Sequence, residues 1–329
     1  MKLSPAAGLV AGVEIGRGSI KAVLLTLGHD FVDREDEKLP NGAIEDLAYC
    51  LGASMRVLRT LLHRTGHSPE DLFAVGLGLP CPIDREGRIS RTLFPRVTDQ
   101  DPVQLFHAEM PGTRVLVEND ATLGALGEHA AGTVDRHAYL VYVKVSLGVG
   151  AGIFRNGRPH RGTSGMAGEL GHVSIDWQGP GCECGSRGCL QTYIGGQVLL
   201  RQAQYILGPP EQSTLTELVA LARSTGPNHL GARRIIADAG EKLGIALASV
   251  VNFTSPDVIA LGGALSSAEE LLLEPVRRSL LGHAVPEIGE RVTTMTAQMK
   301  EWSSAFGGAH LVLRAPFDNE PDHMIAFTR

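Results

Sequence analysis

Gly168-Glu169-Leu170-Gly171-His172, followed eight residues later by Gly181-Cys182-Glu183-Cys184-Gly185-Ser186-Arg187-Gly188-Cys189, is the most informative stretch of the chain. It places one histidine and three of the five cysteines within eighteen residues, beside a carboxylate, Glu169, that could face a ligand. Thiolates two and five residues apart, with glycines at the bends, can converge on one tetrahedral ion, and a set of three cysteines and one histidine suits borderline-soft zinc. A closed set of four ligands is the mark of a structural site. Buried thiols beside a core histidine are the plainer reading of the same residues.

At 329 residues the chain exceeds the usual size of one hydrophobic core, which predicts two domains. With 43% apolar and 20% charged residues its composition is that of a soluble globular protein. A net charge of -6, with no local run of Lys and Arg, leaves no electrostatic footprint for nucleic acid. The start of the chain carries a single early lysine and is broken by Pro5 and Glu14 before an apolar core can form, so no signal peptide is read. No later stretch is long and apolar enough to span a bilayer. Five cysteines, an odd number with three of them clustered, favour a reducing cytoplasm and a metal site over disulfides. Cys50 and Cys81 stand outside the cluster.

Taken in order, Val10 to Glu14 and Ile20 to Leu25 are β-branched runs separated by Gly16-Arg17-Gly18-Ser19, which predicts a hairpin, and the dinucleotide-binding pattern of strand, glycines and helix is not matched. Apolar residues from Ile44 to Thr65 recur at three and four, as in an amphipathic helix. Phe73 to Leu79 reads as a buried strand entering the rigid turn Pro80-Cys81-Pro82. Arg114 to Val117 is a short strand with Glu118-Asn119-Asp120 at its carboxyl end, opening a helix from Ala121 to about Ala131; such strand ends are where α/β proteins hold ligands. Asp120 could equally be the cap of that helix. Tyr139 to Val145 is a further strand, followed by Gly148, Gly150 and Gly152 at alternate positions, which let a backbone approach a phosphate or sugar, or let two strands pack. Helical patterns fill 197–251, Pro256 to Leu261 is a strand capped by Gly262-Gly263, and Phe306 to Leu313 is a last helix before a polar tail.

Together, Glu169-Leu170-Gly171-His172 and Cys182-x-Cys184-Gly185-x-x-Gly188-Cys189 resemble the signature of the ROK family of bacterial repressors, open reading frames and sugar kinases. Glu118-Asn119-Asp120-Ala121, Gly148-Val149-Gly150-Ala151-Gly152, Ala167-Gly168, and Asn252 through Leu261-Gly262-Gly263 extend the resemblance along the chain. It implies the actin-like ATPase (ribonuclease H-like) fold, two α/β domains with an interdomain cleft. We expect a small domain of residues 1–118 completed by 306–329, and a larger one of 119–305 that holds the zinc motif. By the resemblance, His172, Cys182, Cys184 and Cys189 bind zinc, while Asn119, Asp120, Glu169, His172 and Gln191 face a sugar or sugar phosphate. Asp120 is then the general base of a kinase member, which would use ATP and Mg²⁺ near Gly16, Gly18, Gly148, Gly150, Gly262 and Gly263. A homodimer or homotetramer is expected.

Departures from the kinase pattern divide the functional reading. Where kinases carry Asp-x-Gly-Gly-Thr in the first hairpin, this chain has Glu14-Ile15-Gly16-Arg17-Gly18. Arg17 puts a long side chain where backbone would approach nucleotide, and Gly18 removes a hydroxyl. The Arg-Gly pair is similar to the NagC/XylR-type regulator branch, whose members sense sugars or sugar phosphates and carry an amino-terminal winged helix-turn-helix. Glu14 and Arg17 could also be a plain surface ion pair. Gln191 stands where the family usually has glutamate, and Cys81 replaces a glycine. Leu3-Ser4-Pro5-Ala6-Ala7-Gly8 resembles the linker of those regulators, with no helix-turn-helix before it in this chain. Two functions remain: a sugar-sensing regulator domain, or an ATP-dependent sugar kinase.

Overall fold

The two β-branched runs around Gly16 pair antiparallel as strands β1 (Leu9–Ile15) and β2 (Ser19–Thr26), from Leu9 opposite Thr26 to Ile15 opposite Ile20. Both are buried almost throughout, which places them inside a sheet and not at its edge. This computed structural model describes residues 8–40, 42–90, 100–135, 137–207 and 214–314. The linker-like residues before Gly8 and the polar tail after Arg314 lie outside that range.

β3 (Phe31–Lys38) pairs antiparallel with β2 and forms one edge of the sheet. β4 (Leu72–Leu79) and β5 (Arg114–Asn119) add in parallel on the other side of β1, giving the order β3-β2-β1-β4-β5. A second sheet repeats this plan. Its hairpin is β6 (Leu140–Val145) with β7 (Val149–Arg155), β8 (Arg158–Pro159) follows at the edge, and β9 (Val258–Gly262) and β10 (Thr293–Thr296) add in parallel, in the order β8-β7-β6-β9-β10. Alternate glycines Gly150 and Gly152 therefore sit within β7.

Helices α1 (Leu47–Arg64), α2 (Pro102–Glu109) and α3 (Asp120–Ala130) accompany the first sheet. The helix expected from Ile44 begins later, because Ala43–Glu45 forms a separate 3-10 turn and the Asp46 side chain caps α1 by accepting from Tyr49 N–H. In sequence, α4 (Gln191–Ile194), α5 (Gly196–Leu207), α6 (Leu215–Arg223) and α7 (His229–Thr254) come between β8 and β9, and α8 (Glu270–His283) and α9 (Pro286–Gly289) between β9 and β10. The last helix is α10 (Ser303–Arg314).

Internal packing divides the chain into one unit of Met1–Ala131, Pro159–Ala167 and Trp302–Arg329 and another of Gly132–Arg158 and Gly168–Glu301. This differs from a boundary at 118/119. The reason is packing between α3 and α10: a Cβ built on Gly127 would lie 2.1 Å from the Ser303 carbonyl oxygen, and one on Gly307 would lie 1.8 Å from that of Leu123. Ser303 Oγ also donates to the buried Glu128 Oε1 at 2.7 Å. In the first unit, α1 covers one face of the sheet through Leu51, Met55, Leu58 and Leu62. On the other face, Ala305, Ala309 and Val312 of α10 meet Val10, Val23, Leu25, Ala74 and Leu116.

A Cβ on Gly76 of β4 would lie 1.9 Å from the Gly308 carbonyl oxygen, whereas one on Gly52 of α1 would meet nothing within 4 Å. Two glycine-to-alanine changes should therefore act in opposite directions. Gly76→Ala forces α10 off the sheet and should cost at least about 3 kcal/mol; Gly52→Ala should raise stability by roughly 0.5–1 kcal/mol. Thermal unfolding of the two variants checks the pair.

Candidate functional site

β5 runs two residues beyond the expected strand end and delivers Glu118, Asn119 and Asp120 to the start of α3. The cap of α3 is Asn119 and not Asp120. Asn119 Oδ1 accepts from Ala121 N–H at 2.9 Å and Thr122 N–H at 3.0 Å, and its Nδ2 donates to the Cys81 carbonyl at 3.0 Å. One side chain thus closes the helix start and ties it to the Pro80-Cys81-Pro82 turn. With that task taken, Asp120 becomes the first helical residue, buried to 8% exposure, with its carboxylate at the positive end of the helix dipole.

Glu118, just before them, is 2% exposed. Its Oε1 accepts from Asn119 N–H at 2.7 Å, and its Oε2 lies 2.8 Å from Arg161 Nη2. The Arg161 side chain is itself only 9% exposed, and its Nε and Nη2 have no aligned hydrogen-bond partner among the described residues, so the contact is one of charge. Nothing in the sequence pattern announces this pair, because Arg161 comes from a distant loop. Burial pushes the Glu118 carboxyl up to about 6, against the opposing effects of the Arg161 charge and the Asn119 amide.

The turn between β1 and β2 is tight: Gly16 N–H donates to the Ser19 carbonyl at 2.8 Å, and the Gly18 carbonyl accepts from Leu39 N–H at 3.0 Å. Glu14 is 5% exposed and lies opposite Lys21 in the register, so its carboxylate is buried and not a surface group. In the second unit Gly148 closes the β6–β7 hairpin, its carbonyl accepting from Ser146 N–H at 2.9 Å. Gly262 ends β9, and Gly263 follows at φ +80°, a conformation that favours glycine. Ala264 N–H donates to Ser146 Oγ at 3.1 Å. The β6–β7 hairpin and the Gly262-Gly263 turn, far apart in sequence, are therefore neighbours.

The 168–172 segment lies flat on β7. Ala151 N–H donates to the Gly168 carbonyl at 2.8 Å, and a Cβ on Gly168 or Gly171 would come within 2.0 Å of the Ala151 carbonyl oxygen or 2.3 Å of that of Val149. Glu169 precedes the 3-10 turn Leu170–His172 that starts from this contact. From Gly181 to Arg187 the chain forms a small knuckle, held by Cys182 N–H to the Ser186 carbonyl at 2.8 Å. It brings His172, Cys182, Cys184 and Cys189 together, one donor atom from each lying within 4.8 Å of the others. Cys182 Sγ is 3.5 Å from His172 Nδ1, and Cys184 Sγ is 3.7 Å from Cys189 Sγ. Tetrahedral zinc, with bonds of about 2.3 Å to sulfur and about 2.0 Å to nitrogen, requires S···S near about 3.8 Å and S···N near about 3.5 Å. The donor set fits such an ion. Gln191, two residues past Cys189, accepts from Val149 N–H at 3.3 Å and donates to Glu183 Oε1 at 2.7 Å.

A family model described as the ROK family matches residues 10–315. The chain belongs to the ROK family. Its relatives fall on both sides of that family's divide. The chain is 27% identical to a xylose repressor of Bacillus spizizenii over 307 residues, covering 93% of this chain and 77% of the repressor. Its fold is similar to that of a ROK family glucokinase from Streptomyces griseus in complex with glucose and AMPPNP, with a TM-score of 0.79 at 25% identity, covering 92% of this chain and 99% of the kinase. It is similar also to a ROK family transcriptional regulator, a homolog of the E. coli MLC protein, with a TM-score of 0.74 at 25% identity, covering 97% and 80%. This ROK protein therefore has two α/β units of the actin-like kind, and among its described residues no helix is long and apolar enough to cross a membrane.

The Glu118–Arg161 pair yields a pH-dependent prediction. The folded value, about 6, lies above the ordinary 4.5, so the contribution of this carboxyl to stability is complete below about pH 4.5 and is lost as pH rises through about 6. Arg161→Met removes the compensating cation. Urea unfolding should show a loss of about 3–5 kcal/mol at pH 8 that shrinks towards pH 5 as Glu118 takes up a proton. An equal loss at both pH values would mean that Arg161 does not stabilise the Glu118 carboxylate.

Proposed function

We propose that this ROK protein is a sugar sensor of the regulator type, which binds a sugar or sugar phosphate without transferring phosphate. The observation that carries this reading is the β1–β2 turn. Its tip is Arg17, its Gly16 amide and Gly18 carbonyl are both engaged within the protein, and residues 16–18 offer no hydroxyl. A loop that wraps a phosphate needs small residues and outward-facing amides.

In this reading Asp120, Glu169, His172 and Gln191 meet sugar hydroxyls, and Asn119, with one further N–H on Nδ2, does so while holding the turn. His172 serves twice, Nδ1 towards the metal and Nε2 towards the sugar. Zinc held by His172, Cys182, Cys184 and Cys189 supplies rigidity and takes no part in any reaction. No disulfide joins any of the five cysteines, and a reducing cytoplasm keeps the clustered three available to the metal.

Isothermal titration with glucose, N-acetylglucosamine, mannose, allose and xylose should find at least one that binds. A coupled ATP assay with the same sugars should show no turnover. Phosphorylation at rates of roughly 1–1000 per second would overturn the sensor reading.

One observation favours a kinase instead: Asp120 is intact, half of a carboxylate-plus-amide pair at the start of α3. If turnover is found, Asp120→Asn should lower kcat by about 100- to 10,000-fold with a smaller change in KM, since a positioned base acts mainly in the transition state.

Metal analysis should give close to one zinc per chain. Cys189→Ser should abolish it and weaken sugar binding too, because Gln191 follows two residues later.

A further inference from the structure

Gln191 is held at both ends of its amide. Oε1 accepts from Val149 N–H at 3.3 Å, and Nε2 donates to Glu183 Oε1 at 2.7 Å. This pattern fixes which end is oxygen, because a carboxylate can only accept and a backbone N–H can only donate. The amide also abuts the Glu169–His172 turn: a Cβ on Gly171 would lie 3.2 Å from Gln191 Oε1. Gln191 is therefore packed against the segment that carries two of the proposed sugar-facing residues.

Glu183 occupies the position between two of the metal-binding cysteines. Four ordered donors fix the backbone on both sides of it, so its side chain starts from a rigid base. It reaches across the knuckle to Gln191, eight residues away in sequence. A hydrogen bond between an amide and an ionised carboxylate is stronger than one between neutral groups. Such a bond holds the amide in one orientation and carries a negative charge to its side.

We infer that Glu183 is a specificity-determining residue of the sugar site, acting through Gln191: the two form one unit in which Gln191 presents an oriented amide and Glu183 supplies the carboxylate. The chemistry follows from the donor count. A lone carboxylate accepts hydrogen bonds and rejects any sugar oxygen that has no proton to give. The pair retains the acceptor and adds an N–H, so it can also receive a substituent oxygen such as the carbonyl of an N-acetyl group. This inference rests on the sugar-binding reading above.

The test transposes the two groups. Glu183→Gln, Gln191→Glu and the double variant Glu183→Gln/Gln191→Glu are titrated with the sugars that bind the wild-type protein, and zinc content is measured on each. Glu183→Gln should weaken binding about tenfold at unchanged zinc, the scale of one charged hydrogen bond. Gln191→Glu places two carboxylates at hydrogen-bonding distance and should weaken it as well. The double variant restores one amide and one carboxylate and should recover affinity to within about threefold, with the ranking of N-acetylglucosamine against glucose changed. Unchanged affinity and ranking in Glu183→Gln, or a double variant no better than the weaker single one, would overturn the inference while leaving sugar binding intact. A wild-type protein that binds none of the sugars overturns the parent reading, and this one with it.

Discussion

The closest contacts in both units are backbone against backbone, and glycine is what permits them. In the first unit α10 lies so near β1 and β4 that the first atom of any side chain at Gly12 or Gly76 would fall within 2 Å of a carbonyl oxygen. In the second, the Gly168–His172 segment rests on β7 with similar closeness. Side-chain packing tolerates changes of a methyl group at modest cost, whereas a carbonyl oxygen cannot yield without moving a whole element. The residues proposed to face a sugar in the second unit are placed relative to the latter contact. Glu169 and His172 are on the segment that touches β7. Gln191 reaches back to the same strand through Val149 N–H, and the knuckle lies between them.

The charged groups of the first unit obey a second constraint, that a buried carboxylate must have a partner. Glu118 meets it with Arg161 and the amide of Asn119. Because Arg161 belongs to the 159–167 stretch, the ion pair binds that loop to the end of β5, just before the chain enters Gly168 and Glu169. Asn119 completes the arrangement by capping α3 and holding Cys81. Asp120, proposed above to meet a sugar hydroxyl, follows as the buried first residue of α3, on a helix start that its neighbours fix.

Elements whose burial is regular could be read in the sequence, since regular burial imposes a period. β1, β2, β4, β6 and α1 are of this kind, with boundaries displaced by a few residues where a cap such as Asp46 intervenes. β3 could not be read, because Phe-Val-Asp-Arg-Glu-Asp-Glu-Lys is an exposed edge whose charges are paired with Arg56 and Arg64 and deter further strand pairing. α8 hides behind Pro275, a residue that usually interrupts a helix and that here packs close to Gly240 of α7. The four clustered donors were legible as a set because their spacing is local. Arg161 with Glu118, and Glu183 with Gln191, were not, since each pairing depends on where a loop returns.

The same frame serves a kinase and a sensor because the two tasks share their hardest requirement, the orientation of several hydroxyls by rigid acceptors. The converging His172–Cys182–Cys184–Cys189 donors, the glycine contacts on β7 and the Asn119 cap all serve that requirement and are indifferent to nucleotide. Phosphoryl transfer adds only a demand for positioned charge around the phosphates. That demand falls on the β1–β2 turn, whose amide and carbonyl are internally satisfied and whose tip is an arginine. The turn contributes little to either core, so it can diverge at small cost in stability. The knuckle is less free to do so, because four of its side chains converge on one point. Loss of catalysis would therefore be recorded first in Gly16-Arg17-Gly18 while the metal cluster stays legible, and retuning of the sugar would be recorded at positions such as Glu183 and Gln191, which sit on the knuckle without being part of the donor set.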